Sequence, residues 1–338
     1  MSSQSDPQAP EPGPARVWTA TPANADSAAH AREPTTEPTN GVPQRRVVDM
    51  SSSRTSAPSR APHASVEPPS SASQRRRLIE AGSFVATWVA TGYLLPVSSN
   101  AYLLLGIPLT ICFQLLVRRR PLRELFAAYT PRFALGPRGI AIAVALALAP
   151  GYHAVHALAG NDWATTGWYL AATAGAACAA FALRATSLPS VLRTAALPVA
   201  VGAGGMALVY GMFHIVRGAP LPAGQAFTAL TSYTALYFPA TFLMEEVAFR
   251  GALDAHVHHE GAAHAWWSAV YVSTLWGIWH LPVSHALPFP LQLTELVVVH
   301  IVLGVPLSIA WRRSRNLAGP ALAHAVNDAV RNAAMLGL

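Results

Sequence analysis

The chain has 338 residues, 52% of them hydrophobic and only 12% charged, with a mean hydropathy of +0.32, a balance far from that of soluble globular domains. It is the composition of a membrane protein. Lysine is absent, so all 23 basic residues are arginine, and against 16 acids they leave a net charge of +7; they bear on membrane topology, and no nucleic-acid partner is expected. Cys112 and Cys178 both lie inside apolar runs, so no disulfide framework, cysteine metal cluster or thiol redox chemistry is expected.

Residues 1–77 read as a disordered cytoplasmic tail, because residues 1–74 hold 12 of the 28 prolines among Ser, Thr and Ala and contain no apolar run. Arg75, Arg76 and Arg77 then stand directly before the first long apolar stretch, as the cytoplasmic flank of a membrane helix does. A helix needs about 20 apolar residues to cross the hydrocarbon. Nine candidate spans follow, near 79–97, 101–117, 139–158, 166–183, 194–215, 228–249, 265–281, 291–311 and 316–336. The predicted fold class is therefore all-α, a polytopic transmembrane helix bundle of about nine spans.

Arginine marks the even connections: Arg118 to Arg120, Arg123, Arg132 and Arg138 after span two, Arg184 and Arg193 after span four, Arg312, Arg313 and Arg315 after span eight. The odd connections hold Arg217 alone. The bias predicts an integral multi-pass protein of the cell membrane with a cytoplasmic N-terminus. Glycines 202, 204, 205 and 211 in span five suit close helix packing.

Between residues 78 and 338 there are nine acids, and three of them, Glu245, Glu246 and Asp328, fall within or beside spans six and nine. Ionisable groups persist in a membrane where they pair or line a wet cavity, so their presence points to function. At the end of span six, Met244-Glu245-Glu246-Val247-Ala248-Phe249-Arg250-Gly251 puts Glu246 and Arg250 four residues apart on one helix face, where the guanidinium neutralises that carboxylate. Glu245 is then left as a partly desolvated carboxylate, suited to take a proton from water; the competing reading is an ordinary interfacial ion pair. Span seven ends Trp276-Gly277-Ile278-Trp279-His280-Leu281-Pro282, and span nine carries His324-Ala325-Val326-Asn327-Asp328. Asn327 and Asp328 follow His324 by three and four residues and project from nearly the same face.

These segments together resemble the CPBP intramembrane proteases, which include the Ras-converting type II CAAX prenyl endopeptidase and the bacterial Abi-type proteins. The likeness covers about residues 228–336: Glu-Glu-x-x-x-Arg followed by Gly251, an aromatic-x-x-x-His ending in His-Leu-Pro, and His-x-x-x-Asn/Asp occur in family order. It divides the membrane region into N-terminal helices at 78–225 and a catalytic region at 226–338. The resemblance implies that Glu245 activates water, that His280, His324 and Asp328 orient the reaction, and that Glu246 and Arg250 support them. Two departures stand out: Trp276 where the family often has Phe, and Asp328 where many members have Asn. An ionised Asp328 does not donate to an oxyanion, so it is protonated, or it orients His324, or Asn327 supplies the amide.

The expected activity is hydrolysis of a peptide bond in a membrane-associated peptide or protein, a prenylated tail among the candidates, with membrane lipid as the other partner. A polytopic transporter and a noncatalytic bacteriocin-immunity or scaffold protein are the alternatives. No cofactor is required when Glu245 is the base; in a zinc-dependent alternative Glu246, His280 and His324 would be the metal ligands. His256, His258, His259 and His264 read as a solvated loop, and His153, His156 and the pair Glu295 and His300 as intramembrane polar groups bonding across helices or lining a cavity. One conflict is built into these spans. Glu245 and His280 fall near opposite ends of spans six and seven, about 15 Å apart at 1.5 Å per residue, so span six is expected to extend past Arg250 or span seven to shift.

Overall fold

A computed structural model describes residues 71–336, apart from 129, 131, 260–264 and 285–286. Most of the expected tail, and His264, lie outside the described residues. Residues 71–77, expected to belong to the tail, are helical. Helix α1 runs Ser71–Leu94 and takes Arg75, Arg76 and Arg77 into its first turns, where Arg76 pairs with Glu80 one turn on at 2.8 Å.

Helix α2, Ser99–Cys112, starts on Ser98, whose hydroxyl accepts from the amide of Ala101, and widens into a π turn at Phe113–Val117. α3 covers Gly136–Ala159; α4 covers Trp163–Arg184 and is capped by the Asp162 carboxylate on the amide of Thr165. α5 covers Leu188–Arg217 and closes on Gly218 in the left-handed region, at φ 62°. α6 covers Ala223–Thr241 and continues as a π-helical stretch, Phe242–Asp254, and a last α turn, Ala255–Val257. α7 is Ala265–Trp279, α8 Phe289–Ser314 and α9 Ala318–Ala334. No strand occurs among the described residues.

Among the described residues five helical stretches are long and apolar enough to cross a membrane: Ser99–Val117, α3, α4, α5 and α8. Cross-helix bonds sort the connections into two faces. On one, Gln74 donates to the carbonyl of Val257 (3.0 Å), Arg118 to that of Gly251 (2.8 Å), Asn316 to that of Ala182 (2.8 Å), and Arg312 grips Asp254 (2.6 Å). The start of α1 and the connections after α2, α4, α6 and α8 thus share an arginine-rich face. On the other, Tyr102 donates to the carbonyl of Trp279 (2.8 Å) and Asn100 to Thr165 (3.0 Å), while His214 bonds to the carbonyl of Ala334 (2.8 Å).

Pro239 has no amide hydrogen to give the α-helical ladder, and three residues later α6 loosens into its wider π winding. Glycine at 251 lets this segment pass directly over the 3-10 turn Leu122–Leu125 in the connection after α2, since a Cβ there would strike the carbonyl of Leu125. The helix therefore runs on past Arg250, as the offset between Glu245 and His280 requires. Eleven of the thirteen residues of Phe242–Asp254 are buried. Phe249, Trp88 and Trp279 form the aromatic floor beneath it, with Trp88 and Trp279 edge to face at 4.9 Å. α9 packs against α5 and α6, and α7 against α8. Of the four glycines of α5, Gly202 meets another element, the side chain of Asn327, while Gly204, Gly205 and Gly211 face open space.

Candidate active site

Wider π turns make neighbouring side chains diverge less, so Glu245 and Glu246 both reach α9. Glu246 is fully buried. Its Oε1 lies 3.1 Å from Arg250 Nη1 and accepts the Nδ1 hydrogen of His324 at 2.9 Å. Arg250, 1% exposed, lays its guanidinium over the Trp276 ring, 4.2 Å from the centroid. A charge buried this deeply needs compensation, and here a carboxylate and an aromatic face supply it, while the guanidinium nitrogens make no hydrogen bond among the described residues.

Glu245 is bound differently. Its Oε2 accepts the indole hydrogen of Trp276 at 2.9 Å and stands 3.9 Å from His324 Nε2, and its side chain keeps 14% exposure. Asp328 Oδ2 is 3.6 Å from the same His324 Nε2, and its Oδ1 is 3.3 Å from Arg331. His324 is thus surrounded by three carboxylates: Glu246 on Nδ1, Glu245 and Asp328 near Nε2.

Trp276 is the hub. His324, His300 and His280 stand against it at centroid distances of 5.0, 4.5 and 5.9 Å, and His280 and His300 face each other at 4.2 Å. His280 Nδ1 donates to the carbonyl of Trp276 (2.9 Å) and His300 Nδ1 to that of Leu296 (2.6 Å), which fixes both tautomers and leaves Nε2 of each without a hydrogen in the neutral ring.

The expected site residues divide accordingly. Glu245, Glu246, Arg250, His280, His324 and Asp328 come together around one indole. Asn327 does not join them: it is buried, lies against Gly202 of α5, and neither amide atom has a hydrogen-bond partner. Two residues belong here that the sequence left aside. Trp276 counted there as a departure from a motif; its position four residues before His280 was the available signal. His300 was noted as an intramembrane polar group, and nothing in its spacing tied it to the other two histidines.

The donor set fits zinc poorly. Among the described residues no three His, Cys, Asp or Glu side chains form a group able to hold a metal ion, and two of the three ligands considered, Glu246 and His324, are bonded to each other. Elsewhere, His256 is not in a solvated loop but sits in the last turn of α6 and bonds to Glu80 at 2.9 Å. His153 stacks on Tyr169 of α4, and His156 bonds within its own helix.

Apolar helices of membrane-spanning length around a buried cluster of carboxylates and imidazoles define an integral membrane protein with the equipment of a hydrolase. Residues 227–330, which include every side chain from Glu245 to Asp328, match the family model described as type II CAAX prenyl endopeptidase Rce1-like. The likeness read from the three motifs and the family model fall on the same stretch, so it is the C-terminal helices, about a third of the chain, that are similar to the CAAX-type endopeptidases. No curated protein and no solved structure matches the chain.

Proposed function

We propose that this cluster hydrolyses a peptide bond of a membrane-associated substrate, with water as nucleophile and Glu245 as general base. The observation that carries the reading is the unequal use of the two glutamates. Arg250 and His324 hold Glu246, whereas Glu245 keeps an oxygen 3.9 Å from His324 Nε2, a separation that one water bridges. A carboxylate so placed takes the water's proton as its oxygen attacks the scissile carbonyl, then passes that proton to the leaving amine. His280, its Nδ1 hydrogen held by a carbonyl, accepts a hydrogen of the water at Nε2, while His324, its Nδ1 hydrogen held by Glu246, donates from Nε2 to the developing oxyanion once its ring is protonated.

Asp328 orients His324 and balances the charge that ring acquires. Asn327 serves packing against α5. No step is assigned to a metal. The substrate is a prenylated C-terminal peptide of the kind the family description names, cleaved at a membrane whose cytoplasmic side is the arginine-rich face.

The test uses the purified full chain in proteoliposomes with a prenylated CAAX-type peptide and its unprenylated twin. Cleavage of the prenylated peptide by the wild type, lost in Glu245→Gln, is the expected result. Absence of cleavage of any peptide, with a solute or proton flux that Glu245→Gln abolishes, would make the protein a transporter instead.

A further inference from the structure

The arginine-rich face carries a second feature, away from the carboxylate and imidazole cluster. Between the first turns of α5 and the last turns of α8 lies a cavity of about 630 Å³, with Gly319 of α9 in its wall. Its rim holds Arg193, Arg313 and Arg315 with the hydroxyls of Thr186, Ser190 and Thr194, and no acidic side chain lines it.

Neighbouring arginines make the asymmetry plain. Arg312 turns to Asp254 and Ser268, at 2.6 and 2.9 Å, and its charge is matched within the protein. Arg313 turns the other way, into the cavity. Neither it nor Arg193 meets a carboxylate among the described residues. Guanidinium groups converging without an internal counter-ion are complementary to a phosphate, which accepts their paired hydrogens.

Deeper in, the lining changes character. From Ser190 to Leu197 and Pro198 along α5, and from Arg313 to Ile309 and Pro306 along α8, each wall runs seven residues or more, about 10 Å, from basic rim to apolar throat. Both walls are helices of membrane-crossing length and hydropathy. A free phosphate would leave the throat empty, whereas a phospholipid places its headgroup on the rim and its first chain carbons below. We infer that this cavity is a binding site for an anionic phospholipid, phosphate on Arg193 and Arg313, acyl chain between α5 and α8. The inference does not depend on what the Glu245 cluster does.

The purified full chain, delipidated in detergent, is titrated with phosphatidylglycerol or phosphatidylcholine and the bound lipid read by native mass spectrometry. Phosphatidylglycerol should bind in preference, and Arg193→Ala/Arg313→Ala should weaken it by about thirty-fold, two basic residues' worth at a membrane surface. Both side chains are exposed, so folding is spared; Arg138→Ala, exposed and outside the cavity, should bind as wild type. Ile309→Trp, which fills the throat, should also weaken the lipid while leaving the rim intact. Equal retention of the two lipids, or preference that survives the double substitution, overturns the site. Competition by millimolar inorganic phosphate together with indifference to Ile309→Trp would assign the rim to a soluble phosphate and overturn the lipid.

Discussion

Helix α3 and the π stretch of α6 are both apolar and use their surfaces in opposite ways. α3 turns Ile140, Val144, Leu148, Tyr152 and Val155 outward, a stripe at helical spacing, and buries three residues, Gly139, Pro150 and Ala154. The π stretch buries eleven of its thirteen residues, and three of these are Glu246, Arg250 and Asp254. Hydropathy alone ranks the two segments the wrong way round for importance. In a membrane the apolar surface finds its solvent in lipid, and tight packing is reserved for segments whose charges need protein around them.

The sharpest break between the two regions is chemical. Glu245→Gln keeps the size and the indole bond of residue 245 while removing its basicity. Turnover of a cleavable peptide should fall by about 10²- to 10⁴-fold, with the thermal unfolding midpoint unchanged. A matching drop in that midpoint would make Glu245 part of the scaffold. Next comes the buried pair. Arg250→Leu leaves Glu246 without its cation, and truncating one partner of a buried ion pair typically costs about 3–5 kcal/mol. Denaturation in detergent should show the loss, and Glu246→Gln combined with Arg250→Leu should recover part of it, since the uncompensated charge is then gone. No recovery would mean that the stack on Trp276, rather than the charge, holds the segment.

A smaller effect is expected from the hub. Trp276→Phe restores the aromatic the family often has and deletes the hydrogen bond to Glu245. A bond to a charged group contributes about 1.5–3 kcal/mol, so kcat should fall by roughly 10- to 100-fold with KM little changed. Equal loss in KM would show that the indole contacts substrate. On the other side of the comparison, Leu148→Ala on the outer stripe of α3, 68% exposed, should move stability by no more than about 0.5 kcal/mol. A larger shift would reveal a protein partner on that face in place of lipid.

The apolar helices were legible because a run of about 20 apolar residues bounded by arginines has few alternative meanings. Their limits were less so: α1 begins eight residues before the expected 79, and α6 runs eight residues past the expected 249. The motifs were legible too: Glu246 and Arg250 at i, i+4 meet as their spacing requires. What spacing within a segment does not carry is contact between segments. His324 bonds to Glu246, 78 residues away, and His300 reaches His280 from a different helix; no local pattern ties either pair. The helical projection that put Asn327 and Asp328 on nearly one face was also too coarse. A single residue step sends Asp328 to His324 and Asn327 to the glycine notch of α5. The π winding was hidden for a related reason, since Pro239 and Gly251 mark where an α ladder weakens and leave unstated what replaces it.

The smallest expected effect is none, and it bears on whether the buried charges of α6 serve a base or a metal. Zinc held by Glu246, His280 and His324 would need the Glu246 oxygen and a His324 nitrogen to turn toward a common point. Oε1 of Glu246 holds His324 Nδ1 while its Oε2 has no hydrogen-bond partner, so the free nitrogen of His324, Nε2, lies across the ring from Glu246, and a common point requires the Glu246–His324 bond to break. Glutamate-activated water asks for no such rearrangement. Exhaustive chelation, with metal removal checked by elemental analysis, should therefore leave the wild-type rate within about twofold, far inside the 10²-fold or greater loss assigned to the base. Loss of activity on chelation, restored by zinc alone, would reassign His280 and His324 as ligands, because neutral imidazoles suit Zn²⁺. It would also convert Glu246 from a supporting carboxylate into a reacting one, and then Glu246→Gln, not Glu245→Gln, would abolish zinc retention measured on the purified protein.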